Sequence, residues 1–208
     1  MTDTWLYALW FLGVYLLASI SPGDVIARRA GVDIRALGTG NPGTLNVYLE
    51  VGAKHGVLVL LSDVATGAIA TVPLLLVDAP GWARLGSVSA VLIGHMFPVF
   101  WHFRGGVGGA VGMGTAFGLL PLGALVAVAA ALVTVGLSRT AIVAVWAFFG
   151  VTIAVGWAVE GDAAGLSGIV LAITMSTLKW IVHYRIHSPI EAKAWFKASE
   201  RPWRRETT

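Results

Sequence analysis

The chain has 208 residues, 57% of them hydrophobic and 12% charged, with a mean hydropathy of +0.80. Soluble domains carry about 25% charged residues, so this composition cannot cover a water-facing surface and excludes a soluble fold. There is no cysteine, which excludes disulfides and cysteine-ligated metals, and the net charge is only +3.

In chain order, the start (Met1 to Asp3, then Trp5) lacks a basic region and a small-residue cleavage site, so residues 5–20 read as a retained span. A bilayer-crossing helix needs about 20 apolar residues. Residues 57–77 and 86–103 supply a second and a third span, and residues 141–159 and 165–182 two later ones. The apolar stretch 110–136 is broken at Gly118 and Pro121. Proline removes a helical hydrogen bond, so two short helices, 112–120 and 122–136, are predicted as a hairpin. The expected fold is all-α: one integral membrane domain over residues 1–208, with about seven transmembrane or half-membrane helices.

Charge sets the orientation. With the basic loop 28–54 in the cytoplasm, the positive-inside rule puts loop 78–84 outside. If the hairpin enters and leaves from the cytoplasm, every Lys and Arg except Arg84 is cytoplasmic, including Arg104, Arg139 and a basic tail at about 183–208. The N-terminus is then out and the C-terminus in. Trp82, Trp101, Trp157 and Trp180 sit near span ends, as interfacial anchors should.

Three polar segments call for a reason. In the first, residues 35–46, Gly38, Gly40 and Gly43 permit close backbone approach, and Thr39, Asn41, Thr44 and Asn46 add polar groups. Such a loop is either an ordinary flexible connection or an anion-binding nest of backbone N–H groups. The second, residues 94–114, carries Gly105, Gly106, Gly108, Gly109, Gly112 and Gly114. These glycines either pack helices through pairs such as Gly105/Gly109 and Gly108/Gly112, or cradle a phosphate at a helix N-terminus. His95 is either a hydrogen-bonded histidine near a span end or part of that site. The third, residues 179–187, is a basic juxtamembrane cluster suited to anionic lipid. Asp24 and Asp63, in or beside spans, are functional suspects or capping groups.

Together these segments resemble the acyl-phosphate:glycerol-3-phosphate acyltransferases of bacterial membranes, the PlsY family. Ser19-Ile20-Ser21-Pro22, Asp33-Ile34-Arg35 and Gly38-Thr39-Gly40-Asn41-Pro42-Gly43 with Asn46-Val47 match a pattern like G-S-G-N-x-G-A-T-N-V-x-R. Gly94-His95, Pro98-Val99-Phe100 and Phe103-Arg104-Gly105-Gly106 match G-H-x-x-P-V-F-x-x-F-K/R-G-G-K-G. Asp63 with Gly67 resembles D-x-x-K-G. The resemblance implies transfer of an acyl chain from acyl phosphate to glycerol 3-phosphate or a related polyol phosphate, in early phospholipid synthesis, at the cytoplasmic face of the bacterial inner membrane. On that basis Thr39, His95 and His183 are the candidate catalytic groups. Substrate would be held by Arg35, Gly38, Gly40, Asn41, Gly43, Asn46, Arg104, Gly105, Gly106, Gly108 and Lys179. No cofactor, metal or nucleic-acid partner is expected; the partners are the two small substrates and the bilayer.

The chain also departs from the pattern. Leu49, Thr66, Val107 and Trp180 stand where the family has Arg, Lys, Lys and His, and His183 stands where it has Asn. Charge-assisted hydrogen bonds to phosphate are about twice as strong as neutral ones, so weak glycerol 3-phosphate turnover is expected. Arg28, Arg35, Arg104, Lys54, His95 and His183 are the possible substitutes. The competing readings are a catalytically degenerate relative that binds lipid or assists assembly, and a small transporter. No inverted repeat supports the transporter.

Overall fold

The computed structural model describes residues 4–138 and 141–187, with side chains through His183. The expectations placed on the N-terminus, Arg139 and the tail beyond residue 187 lie outside the described residues.

Among the described residues the regular elements are all helical. Helix α1 (Thr4–Ala18) is followed by short α2 (Pro22–Arg29), a 3₁₀ turn at Ile34–Ala36 and short α3 (Thr44–Glu50). Then come α4 (Ala53–Leu76), α5 (Gly81–Met96), a 3₁₀ turn at Val99–Trp101, α6 (Gly109–Leu119), α7 (Pro121–Ser138), α8 (Ala141–Glu160) and α9 (Ala163–His187). Six helical stretches are long and apolar enough to cross a bilayer, and α6 is a shorter apolar helix. Leu9, Leu12, Leu61, Leu125 and Leu132 point outward from the bundle. That exposure is costly in water and natural in hydrocarbon. The chain is an integral membrane protein.

Side-chain contacts fix helix directions. Tyr7 stacks edge-on against Trp82 and Tyr15 Oη donates to the Phe97 carbonyl, so α1 and α5 run in the same direction. The breaks in α6 and α7 fall where Gly118 and Pro121 predict, and Pro121 opens α7 at a position where its missing N–H costs nothing. The two halves do not pack as a mutual pair, however: α6 lies chiefly on α4 and α7 on α8. The reason is a glycine crossing. A Cβ on Gly67 would overlap the Val111 carbonyl, and one on Gly114 would overlap that of Val64. The expected small-residue pair Gly105/Gly109 plays no such part, since nothing lies within 4 Å of a Cβ on Gly109. The segment expected to be loop also contains α2 and α3.

At the end of the bundle where α1 begins, Arg84 on α5 pairs with Asp162, the residue that starts α9 by accepting the Ala164 N–H at 2.9 Å. Burial alone would raise the Asp162 carboxyl. The N–H groups of Gly165 and Ala164 and the Arg84 guanidinium outweigh it and hold the carboxyl below its ordinary 3.8. A depressed acid stabilises the fold above its unfolded pKa, and that contribution is lost as pH falls through the folded one. Asp162→Asn, which keeps the cap and removes the charge, is expected to cost on the order of 1 kcal/mol at neutral pH. The wild-type advantage should begin to shrink near pH 3.8 and be gone once the pH has fallen through the lower folded value, as read by thermal denaturation of both proteins across pH. An advantage that did not shrink at all as the pH fell below 3.8 would refute an ionic origin.

Candidate active site

The opposite end of the bundle gathers the polar segments. Ser21 adopts a left-handed conformation (φ 53°), and its hydroxyl donates to Asp24 on α2. Asp24 is buried and holds Arg35 in a two-point pair, Nε to Oδ1 at 2.7 Å and Nη2 to Oδ2 at 2.6 Å. Asp33 caps the following 3₁₀ turn by accepting the Arg35 N–H at 3.1 Å.

Asn46 then organises the glycine-rich loop from within. It is buried, accepts the Thr39 N–H at 3.1 Å and donates to the Leu37 carbonyl at 3.0 Å. Thr39 Oγ1 accepts the Asn41 N–H, Asn41 Oδ1 accepts the Gly43 N–H, and the Gly40 N–H goes to the Leu37 carbonyl. The amides of Thr39, Gly40, Asn41 and Gly43 are thus already bonded inside the loop. This differs from an open nest: the side chains expected to hold substrate hold the loop itself. At Gly43 a Cβ would first meet the Asn41 side chain, 3.2 Å away. The tight contact is at Gly23, where a Cβ would overlap the Pro42 carbonyl.

The second segment folds back on the end of α5. The Gly105 N–H donates to the Met96 carbonyl and the Gly106 N–H to that of His95, both at 3.1 Å. Gly108 turns the chain with φ 85° into α6. The first N–H groups of a helix have no intrahelical partner, so the amides that open α6, like those that open α3 after Gly43, are not used inside their own helix. Ser176 on α9, whose buried Oγ has no hydrogen-bond partner, lies 3.3 Å from where a Gly108 Cβ would stand. His95 is buried, with its ring against Gly106 and its Nδ1 3.8 Å from Asp63 Oδ1.

Helix α9 joins the two segments. Ser176 faces Gly108, Lys179 Nζ lies 4.2 Å over the Phe97 ring, and His183 Nε2 is 2.9 Å from the Thr39 carbonyl oxygen. A carbonyl only accepts, so Nε2 carries a proton in this contact. From Ser176 to His183 is two helical turns, about 10 Å along the axis.

Beside this junction is a cavity of about 380 Å³ lined by Arg28, Arg35, Trp101, His102 and Arg104. The Arg28 guanidinium lies 4.5 Å from the Trp101 ring centre and that of Arg35 5.7 Å. Trp101 is itself fixed by donating to the Ile20 carbonyl at 2.8 Å. Arg35 and Arg104 therefore share one cavity, while Thr39, His183, Lys179 and Gly108 meet along α9. His95 lies beneath Gly106 and does not line the cavity. Sequence reasoning read Trp101 only as an interfacial anchor and passed over Ser176; a tryptophan next to the histidine and arginine of an aromatic-basic run was the available signal.

Residues 8–192 match the family described as glycerol-3-phosphate acyltransferase. This chain belongs to the glycerol-3-phosphate acyltransferase family. Among its curated relatives, the glycerol-3-phosphate acyltransferase of Aquifex aeolicus is 42% identical over 112 residues, 53% of this chain and 58% of that one. The Pseudomonas aeruginosa PAO1 enzyme is 40% identical over 141 residues, 64% of this chain and 71% of that one. The fold also matches the crystal structure of PlsY, an integral membrane glycerol 3-phosphate acyltransferase, in its glycerol 3-phosphate form. The TM-score is 0.72, with 32% identity over 86% of this chain and 88% of that one. Of the positions where this family member departs from the pattern, Leu49 is buried on α3 and Val107 half-buried between the loop glycines. Thr66 bonds back to the Ser62 carbonyl in α4, and Trp180 is exposed on α9.

Proposed function

We propose that this chain transfers an acyl group from acyl phosphate to a hydroxyl of glycerol 3-phosphate or a related polyol phosphate. The observation that carries this reading is the α9 junction, where one helix end brings His183 to the first segment and Ser176 and Lys179 to the second. An acyl phosphate is already activated, so positioning and electrostatics suffice and no covalent enzyme intermediate is needed. The acceptor oxygen attacks the acyl carbon, the new ester C–O bond forms, and the acyl C–O bond to phosphate breaks. Phosphate departs with that electron pair. His183 Nδ1 takes the hydroxyl proton and delivers it to the departing phosphate. The amides opening α6, with Lys179, hold the acceptor's phosphate. The described Arg28, Arg29, Arg35, Lys54 and Arg104 lie at or beside helix ends on this face. The positive-inside rule makes it the cytoplasmic face of a bacterial inner membrane.

The missing family cations bear on the acceptor. Purified protein is expected to acylate phosphorylated polyols and not free glycerol, with glycerol 3-phosphate turning over weakly. Leu49→Arg with Val107→Lys should raise that turnover about tenfold or more per productive contact. A wild type and a double variant that both fail to acylate every polyol phosphate offered would refute the reading and favour a degenerate lipid-binding relative. Robust wild-type turnover that the double variant leaves unchanged would show that other cations already serve the acceptor.

A further inference from the structure

Asp63 and His95 are both buried and take no part in the steps above. Asp63 lies well inside α4, and among the described residues its Oδ1 has no hydrogen-bond partner. His95 Nδ1 stands 3.8 Å from it, beyond hydrogen-bond length. A carboxyl inside a membrane-spanning helix is expensive, and one without a hydrogen bond more so, so packing does not account for it. We propose that Asp63 is a positioning residue that holds the second glycine segment through the His95 ring and thereby sets how tightly the acceptor's phosphate is bound. This rests on the acyltransferase reading, in which the amides opening α6 receive that phosphate.

One line of contacts runs from α4 to the segment. Asp63 Oδ1 faces Nδ1 of the ring, and the opposite nitrogen, Nε2, lies against Gly106, where a Cβ would overlap it. His95 also meets the segment through its backbone. Its carbonyl accepts the Gly106 N–H at 3.1 Å and would be overlapped by a Cβ on Gly105. With the backbone fixed in this way, the freedom left to the residue is rotation of its ring. A ring turned away from Asp63 changes the support under Gly106, just before Gly108 turns the chain into α6. Asp63 is itself placed by the crossing of α4 and α6. The next residue, Val64, presents its carbonyl to Gly114, and Gly67, one helical turn on, meets the Val111 carbonyl. One carboxyl is thus tied both to the seat of α6 and to the ring beneath the segment. The gap from Oδ1 to Nδ1 exceeds a hydrogen bond by about 1 Å, which a small side-chain rotation closes.

The test is glycerol 3-phosphate binding to the full-length protein in nanodiscs, with thermal denaturation and ester formation from acyl phosphate measured on the same preparations. Asp63→Ala removes the carboxyl without adding bulk and should weaken glycerol 3-phosphate binding about tenfold or more. Its melting temperature should stay within about 3 °C of wild type, because no hydrogen bond is lost. Asp63→Asn can still bond to the ring and should recover binding to within about threefold of wild type. If Asp63 acts through the ring, Asp63→Ala with His95→Ala should bind no worse than His95→Ala alone. Unchanged binding in Asp63→Ala would overturn the proposal, as would losses that multiply independently in the double variant. A loss matched by a fallen melting temperature, which asparagine does not recover, would make Asp63 a strut of the α4–α6 crossing and also overturn it. So would a wild type that does not bind glycerol 3-phosphate. The expected binding pattern without ester formation would leave Asp63 assigned and refute the acyltransferase reading alone. Ester formation with binding indifferent to Asp63 would do the reverse.

Discussion

Gly114→Leu is expected to leave little folded protein in the membrane. A Cβ at this position would overlap the Val64 carbonyl and lie 3.0 Å from the Gly67 Cα, so α4 and α6 must separate to admit any side chain. Helices in lipid gain nothing from hiding apolar surface from one another; their association depends on close packing, which small residues make possible. Overpacking alone costs about 1–3 kcal/mol, and here the obstruction is backbone, which cannot rotate away. Helix α6 also carries the second glycine segment on its N-terminus, so its displacement removes the site together with the fold. The check is extractable yield and thermal denaturation in detergent beside Gly109→Leu, a position with nothing within 4 Å of its Cβ. A melting temperature for Gly114→Leu within about 2 °C of wild type would contradict the close crossing.

His183→Ala should reduce turnover about a hundredfold or more, with the loss in kcat and the acceptor KM little changed. The ring donates to the Thr39 carbonyl through Nε2, so a proton taken from the substrate hydroxyl would go to Nδ1. General-base catalysis contributes typically 10²–10⁴-fold. His183→Gln separates this role from simple bridging, because a glutamine amide can still donate to the carbonyl but cannot carry a proton away. Both variants should be equally impaired. Recovery of wild-type kcat by glutamine would reduce His183 to a strut between α9 and the first segment.

The spans were legible because continuous apolar runs of bilayer length permit little else, and Gly118 and Pro121 marked the break between α6 and α7 by removing side-chain packing and a backbone donor. Helices α2 and α3 were not legible. They are short and lie in a stretch rich in glycine, proline and asparagine; tertiary contacts such as Gly23 on Pro42 hold them. Nor could sequence show that α6 would choose α4 over α7, since glycine spacing does not say which neighbour a helix will cross. Within the site, the two glycine segments were readable as places where backbone matters. What each does was not, because Asn46 saturates the first loop from seven residues beyond Thr39. The Asp24–Arg35 pair, eleven residues apart across a turn, leaves no local pattern, so Arg35 was read as free to bind substrate.

The most direct test of the account is the stoichiometry of the reaction in proteoliposomes holding only this protein, acyl phosphate and glycerol 3-phosphate, with acyl ester and inorganic phosphate measured together. The account predicts one ester formed for each phosphate released, at whatever rate, and no phosphate release above background when the acceptor is omitted. Phosphate release without ester, or neither product when the protein is folded and saturated with both substrates, would contradict it.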